Sequence, residues 1–369
     1  MIREIVVRPP ADLPRAVHAV YREVRRGHRV TAVYNKPEKL SAALSEIGLT
    51  DVSVVRHAVC AQPLLEPWTP RPLRVALLGH GTVGTGLYRR LAELPDRYQV
   101  TAIAVRDVQK AEYAGAPSRL LHSGCRPALE PECDVVVELI GGTHPASEII
   151  EESLRAGRHV VTANKAVIAA RGPWLETLAH SSGVELLYSA SVGGAMPALE
   201  TVRRHAGQIL SFSGVLNATC NFILDQKGVP LDEAVALAQK AGYAEADPRL
   251  DLDGTDAMQK LIILSRAAFG HAPQHLFQSG LEKLAGGRLV AWCDGQRGEV
   301  RTVELPGDHP LASCAGAENR LLVELRSAER ILLSATGAGR WPTAEAVLAD
   351  LDDLVSVKQR PNARARDVA

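Results

Sequence analysis

The chain has 369 residues, 46% hydrophobic and 23% charged, with 42 basic and 42 acidic side chains. At about 150 residues per domain this length predicts two or three domains, each able to bury a core, and the composition excludes a disordered chain. Balanced charge and an aromatic content of only 4% argue against nucleic acid or an anionic membrane surface as the principal partner.

Six cysteines (Cys60, Cys125, Cys133, Cys220, Cys293, Cys314) form no CxxC pair and read as free thiols of a reducing compartment. Charges in Met1-Ile2-Arg3-Glu4 leave no apolar leader, and no apolar run approaches the ~20 residues that cross a bilayer. The expectation is a cytoplasmic protein without a membrane partner. In chain order, strand-like runs at 4–7, 29–33 and 52–55 bracket helical patterns at 13–26 and 38–47, a small β-α-β-α-β module over residues 1–61. Residues 62–72 carry four prolines in eleven positions and read as a linker. Strands at 74–78, 100–105, 135–140 and 159–162 then alternate with helical patterns at 85–94 and 146–156, the order of a parallel sheet built by crossovers. From about Ser191 strand-like pieces at 209–216, 299–305, 320–325 and 330–334 surround a helix at 256–269, an α+β pattern. A helix at 343–354 follows, and 356–369 reads as a flexible tail.

The first strand of the parallel set runs into Gly79-His80-Gly81-Thr82-Val83-Gly84. Glycines at this spacing, between a strand and a helix, allow a tight turn, close approach of backbone to a pyrophosphate, and close helix–strand packing. The N-terminus of the helix that follows adds unpaired N–H groups and a partial positive charge; an ordinary glycine-rich turn is the alternative. A site for NAD should place an acid at the end of the second strand, where Arg106 stands instead, with Asp107 next to it. Arginine pairs a 2′-phosphate and tilts the choice toward NADP(H) over NAD(H).

Only nine of the 42 basic residues are lysines, and one of them, Lys260, ends a nineteen-residue segment, 242–260, that holds five acids. Pro248 and Gly254 make its first part a loop, with the helix N-cap among residues 253–256. Asp256 and Lys260, four apart, share a face. Taken alone, this reads first as a capped helix with a surface ion pair worth about 0.3–0.5 kcal/mol. The sharper reading is a site for a small zwitterion, with carboxylates holding an ammonium and a partly desolvated lysine moving a proton.

The motifs Gly79–Gly84, Val136-Val137-Glu138-Leu139-Ile140-Gly141-Gly142, Val161-Thr162-Ala163-Asn164-Lys165, Ala190-Ser191-Val192-Gly193-Gly194, Asn217-Ala218-Thr219-Cys220-Asn221 and Glu245 through Lys260 stand in that order. They are followed by Asp308-His309-Pro310-Leu311-Ala312 and by Gly337-Ala338-Gly339 with Pro342-Thr343-Ala344. In this the chain resembles the homoserine dehydrogenases over residues 73–355. The resemblance implies NAD(P)H-dependent reduction of L-aspartate 4-semialdehyde to L-homoserine, on the route to threonine, isoleucine and methionine. It implies an α/β fold: a discontinuous Rossmann-type dinucleotide-binding domain (73–190 and 336–355) with an inserted α+β substrate and dimerisation domain (191–335), hence a homodimer or higher homo-oligomer. Lys260 would be the general acid and Lys165 the second lysine of the site. Glu245, Asp251 and Asp256 would bind substrate, and Gly339 would join Gly79, Gly81, Thr82, Val83, Gly84, Arg106 and Lys165 at the cofactor.

Three departures stand out. Ser189 occupies the place of a glutamate that in the family ligates a monovalent cation together with backbone carbonyls; Val192 and Gly194 would supply carbonyls here, but a cation is expected to bind weakly or not at all. Ala218 replaces a glycine, and the stretch 270–298 is short. Alternatives are a related amino-acid semialdehyde dehydrogenase and a non-catalytic nucleotide-sensing paralogue. Residues 1–61 loosely resemble an ACT-type regulatory module but have Arg8-Pro9-Pro10-Ala11-Asp12 in place of a glycine-rich ligand loop, which favours a role in folding or assembly.

Overall fold

Three sheets carry the fold in a computed structural model that describes residues 4–7, 12–34, 36–56, 71–245, 247–282, 287–336 and 340–358. The first is three-stranded: β1 (Glu4–Val7), α1 (Leu13–Arg25), β2 (Arg29–Tyr34), α2 (Pro37–Glu46) and β3 (Ser53–Arg56) form a parallel sheet ordered β1-β2-β3. Asp12 caps α1 by accepting the Arg15 N–H at 3.1 Å, with proline in the first turn, a pre-organised start. Val17, Val20 and Tyr21 of α1 close on Leu40, Leu44 and Ile47. Two crossovers and no hairpin give a βαβαβ unit, so this topology adds nothing to the ACT-like reading, which needs more than element order.

The second sheet comprises β4 (Leu73–Leu78), α3 (Thr82–Ala92), β5 (Tyr98–Val105), α4 (Val108–Tyr113), β6 (Leu121–Ser123), α5 (Cys125–Ala128), β7 (Val135–Glu138), α6 (Ala146–Arg155), β8 (His159–Thr162), α7 (Lys165–Ser181) and β9 (Leu186–Leu187). Its order is β6-β5-β4-β7-β8-β9, with every neighbouring pair parallel. Runs such as Val135–Glu138 are buried along their whole length because helices cover both faces, which is why they read as unbroken apolar strings. The order reverses between β4 and β7, and there a doubly wound sheet opens a crevice at its carboxyl edge. The apolar run 135–140 outlasts its strand: the Glu138 carboxylate turns back to accept the N–H groups of Ile140 at 2.9 Å and Gly141 at 3.2 Å, taking them from the ladder.

After α8 (Ala198–Arg204) comes β10 (Ile209–Val215), followed by α9 (Ala218–Asp225), α10 (Leu231–Lys240), α11 (Arg249–Leu252) and α12 (Thr255–Phe269). Strands β11 (His275–Gln278), β12 (Gly287–Cys293), β13 (Arg297–Glu304), β14 (Glu318–Leu325) and β15 (Arg330–Thr336) complete a third sheet ordered β11-β13-β12-β10-β14-β15. It is antiparallel except where β11 joins β13. One buried cluster runs from Val136, Ile150 and Ile168 through Leu199 to Phe212 and Leu261, so the second and third sheets share a core.

The chain then returns. Helix α13 (Arg340–Lys358) places Val347, Leu348 and Leu351 against Val75, Leu77, Leu87 and Leu91, and runs past 354, four residues beyond the sequence pattern and into the stretch read as tail. A Cβ at Gly86 of α3 would stand 2.6 Å from Arg340 Cγ, so this contact needs the glycine. On its other side α13 meets α1, and Glu345, Asp350 and Asp352 are buried. A helix enclosed on both sides has no polar face to show in its sequence. Among the described residues no helix is long and apolar enough to cross a membrane.

Candidate active site

The glycine loop fills the crevice end of β4. Gly79 has φ +104°, and a Cβ there would stand 2.7 Å from the Leu139 carbonyl oxygen of the loop after β7. A Cβ at Gly84 would stand 2.0 Å from the Gly79 oxygen, while nothing lies within 4 Å of one at Gly81. The first and third glycines are therefore required by packing. The second faces open space at the N-terminus of α3, beside Thr82 and Val83, where the first-turn N–H groups have no intrahelical partner. These residues fit a dinucleotide pyrophosphate. Arg106 is exposed just past β5, whereas the Asp107 carboxylate accepts the Lys110 N–H at 3.0 Å and caps α4. Gly339 lies outside the described residues.

Lys165 opens α7 on a built platform. Thr162 Oγ1 donates to the buried Glu138 carboxylate at 2.5 Å and accepts the Asn164 N–H at 2.9 Å. Asn164 caps α7 through the Val167 N–H at 3.2 Å and donates to the Gly142 oxygen at 2.7 Å. The network joins the loops after β7 and β8 and fixes the base of Lys165.

Asp256 is the centre of the site. Its Oδ2 takes Lys260 Nζ at 2.7 Å and its Oδ1 takes Lys165 Nζ at 3.1 Å, so one carboxylate bridges two lysines from different sheets' helices. Lys260 Nζ also donates to the Leu216 oxygen at 2.6 Å. An ammonium has three N–H donors, and these two bonds leave a third for a ligand. Asn217 caps α9 by accepting the Cys220 N–H at 2.8 Å, which turns its amide nitrogen to Asp251 at 2.7 Å and to Asp256 at 2.8 Å. Burial by itself would raise the Asp256 carboxyl, but Lys260 and Lys165 outweigh it and hold it at about 2. Asp256 raises Lys165 against the desolvation of its ammonium, and burial followed by Asp256 raises Asp251. Two lysine side chains and a carboxylate thus meet beyond the carboxyl end of β8.

The i,i+4 pair is not a surface pair: the Asp256 side chain is 8% exposed and that of Lys260 12%. The segment before it also departs from the loop expected, since Asp251 sits on the one-turn helix α11 and the N-cap of α12 is Gly254, with φ +85° and room for no Cβ beside the Ser279 oxygen. Glu245 stands exposed at the rim, its charge acting on Lys165. Ala218 begins α9 as an ordinary helical residue, so replacing glycine there demands no unusual φ. Asn217, Thr162 and Glu138 stand in the sequence motifs with no task of their own, yet they hold the site together; an amide among acids and a glutamate inside an apolar strand are the signals that point to them.

Val192 and Gly194 lie in a buried segment that follows a short 3₁₀ turn, Ser189–Ser191. Ser189 Oγ accepts Arg25 Nη2 at 2.7 Å, and the Ser189 N–H donates to Asp350 at 3.0 Å. Among the described residues no three His, Cys, Asp or Glu side chains are grouped to hold a metal ion.

Two family models match this chain: "Homoserine dehydrogenase, NAD binding domain" over residues 79–189 and "Homoserine dehydrogenase" over residues 197–351. A homoserine dehydrogenase of Synechocystis is 34% identical, covering 77% of this chain and 74% of its own. One of Corynebacterium glutamicum is 36% identical, covering 75% and 70%. Among solved structures, a homoserine dehydrogenase of Thiobacillus denitrificans superposes with a TM-score of 0.71 at 35% identity, covering 78% of this chain and 74% of its own. A hyperthermophilic archaeal homoserine dehydrogenase in complex with NADPH gives 0.71 at 26% identity, covering 78% and 98%.

Proposed function

The chain belongs to the homoserine dehydrogenase family of NAD(P)-dependent oxidoreductases, and on that premise we propose that it reduces L-aspartate 4-semialdehyde to L-homoserine with residues 165, 245, 251, 256 and 260 as its substrate site. The observation that carries the reading is the Lys165–Asp256–Lys260 bridge at the carboxyl edge of the parallel sheet. Bound nicotinamide dinucleotide supplies the hydride. As the carbonyl π pair moves onto oxygen, the third N–H of Lys260 points a cationic donor at the growing charge, and its N–H bond breaks to give the alcohol. Leu216 and Asp256 hold the other two hydrogens and so aim it. Lys165 attracts anionic groups of cofactor and substrate, while Asp251 and Glu245 suit an α-ammonium. Incubating the purified protein with NADPH and L-aspartate 4-semialdehyde tests this. Loss of reduced-nicotinamide absorbance with formation of homoserine is expected, and no turnover would overturn it.

The helix cap at Asp107 supports a preference for NADP(H), because it withdraws the acid that would hold a ribose 2′-hydroxyl and leaves Arg106 as the charge there. One charge-assisted bond is worth about 1.5–3 kcal/mol, so Arg106→Ala should raise the KM for NADPH about ten- to hundredfold while leaving that for NADH nearly unchanged; equal effects on both would assign Arg106 elsewhere. The guanidinium at Ser189 supports a further reading, that no alkali cation is needed. Activity should be flat when NaCl, KCl and choline chloride are exchanged at constant ionic strength, and saturable activation by one ion would defeat this. A homodimer in the cytoplasm remains our proposal for its setting.

A further inference from the structure

The active site spans two parts of the chain. Lys165 belongs to the segment ending at residue 189 and Asp256 to the segment beginning at 197, and their 3.1 Å ion pair depends on how those parts are held. The chain crosses between them at 190–196 and comes back in α13. One side chain grips both passages: Arg25, the last residue of α1 in the N-terminal module, 8% exposed. Its Nη2 donates to Ser189 Oγ at the end of the first part and to Asp350 of α13, and its Nε pairs with Glu200 of α8 at 2.7 Å. The module also receives a bond in return, since Arg204 of α8 donates to the Arg25 carbonyl oxygen at 3.2 Å. The guanidinium of Arg204 lies where Gly27 leaves room, a Cβ there meeting Arg204 Nη1 at 2.1 Å. Helix α8 in turn packs on α12, which carries Asp256 and Lys260.

We infer that Arg25 is a positioning residue for the active site, a strap from the N-terminal module that fixes the two parts of the chain so that Lys165 meets Asp256; its kinetic consequence rests on the reductase reading above. A planar fork reaches Glu200, Ser189 and Asp350 at fixed angles, with Asp353 also 3.4 Å from its Nη1, which a lysine ammonium cannot imitate, and small misplacements of reacting groups are costly.

The test compares Arg25→Gln, Arg25→Lys and Arg25→Ala with wild type, together with Glu200→Gln, which removes one arm at a partly exposed position and preserves the fold should the Arg25 variants fail to accumulate. The strap predicts a fall in kcat of about tenfold or more for Arg25→Gln and about threefold for Glu200→Gln, at unchanged NADPH Kd, because only the relation between the two parts is loosened. Millimolar guanidinium should restore part of the kcat of Arg25→Ala, where a purely destabilised protein would lose more. Hydrogen exchange supplies a readout independent of turnover: amides of 189–204 should exchange faster in Arg25→Gln or Glu200→Gln while those of β4 and β7 keep their protection. Unchanged exchange at 189–204, or unchanged kcat in an active wild type, overturns the strap. A wild type without turnover but with the exchange change overturns the reductase reading alone.

Discussion

A lysine can serve as a proton donor only if something holds its head in place, and here that task falls on neutral as well as charged groups. Lys260 is aimed by the Leu216 carbonyl and by Asp256, and Asp256 is steadied by the amide of Asn217. Truncating Lys260 to alanine removes the proton donor and leaves the Asp256 carboxylate to Lys165 and Asn217 alone. We expect Lys260→Ala to lower kcat ~10²–10⁴-fold, the usual worth of general acid catalysis, with NADPH affinity within twofold of wild type by fluorescence titration. A variant keeping more than half of wild-type kcat would exclude Lys260 from the proton transfer. The spacing of Asp256 and Lys260 made their common face readable from sequence. A partly desolvated lysine is also among the readings the sequence allows, but the groups that seat the pair, Asn217 and Leu216, are not legible in it, because they lie roughly forty residues away along the chain.

At the scale of elements, α13 shows why local patterns ran out. Three of its carboxylates are charged groups in a dry place, and each is answered from elsewhere: Asp352 by His18, Arg97 and Tyr98, Glu345 by Arg90 and His18, Asp350 by Arg25. Strands β1, β4 and β8 matched their apolar runs because a parallel strand needs only its own residues to announce it. An acid on a central helix announces nothing until its partner, hundreds of residues earlier, is folded against it. This pairing has a consequence for pH. Burial alone would lower His18, but Asp352 and Glu345 overcome it and raise it from 6.5 to about 9. A group whose pKa is higher in the folded state stabilises the fold fully below its unfolded value and loses that contribution as pH rises through the folded value. Thermal midpoints of wild type should therefore fall between about pH 6.5 and 9 more steeply than those of His18→Gln, which lacks the titrating ring. Parallel pH profiles for the two proteins would show that the His18–Asp352 pair is not what couples α1 to α13.

For the whole molecule, the question is what the N-terminal module adds to two sheets that already share a core. Its own core touches the rest through few apolar groups, among them Ala195, Ala349 and Trp341, while its polar contacts reach Asp350, Asp352, Glu345 and Glu200. Removing one partner of a buried ion pair strands a charge without solvent and typically costs ~3–5 kcal/mol. Removing the whole module is different, because water then reaches the acids of α13 and solvates them. Among the described residues, the clusters that hold the second and third sheets contain none before Leu73. A chain beginning at Arg71 should therefore fold, with a lower thermal midpoint from the lost contacts and a lower kcat from the lost Arg25 arm, but with Kd for NADPH unchanged. The segment Arg8-Pro9-Pro10-Ala11, which stands in the sequence where an amino-acid-binding module has its glycine-rich loop, lies outside the described residues; on the reading that it makes no ligand site, threonine should affect full-length and shortened enzymes alike. Steady-state assays of both, with and without threonine, decide the matter: inhibition of the full chain that vanishes on shortening would make the module a sensor, and equal responses with a slower shortened enzyme would leave it a strap.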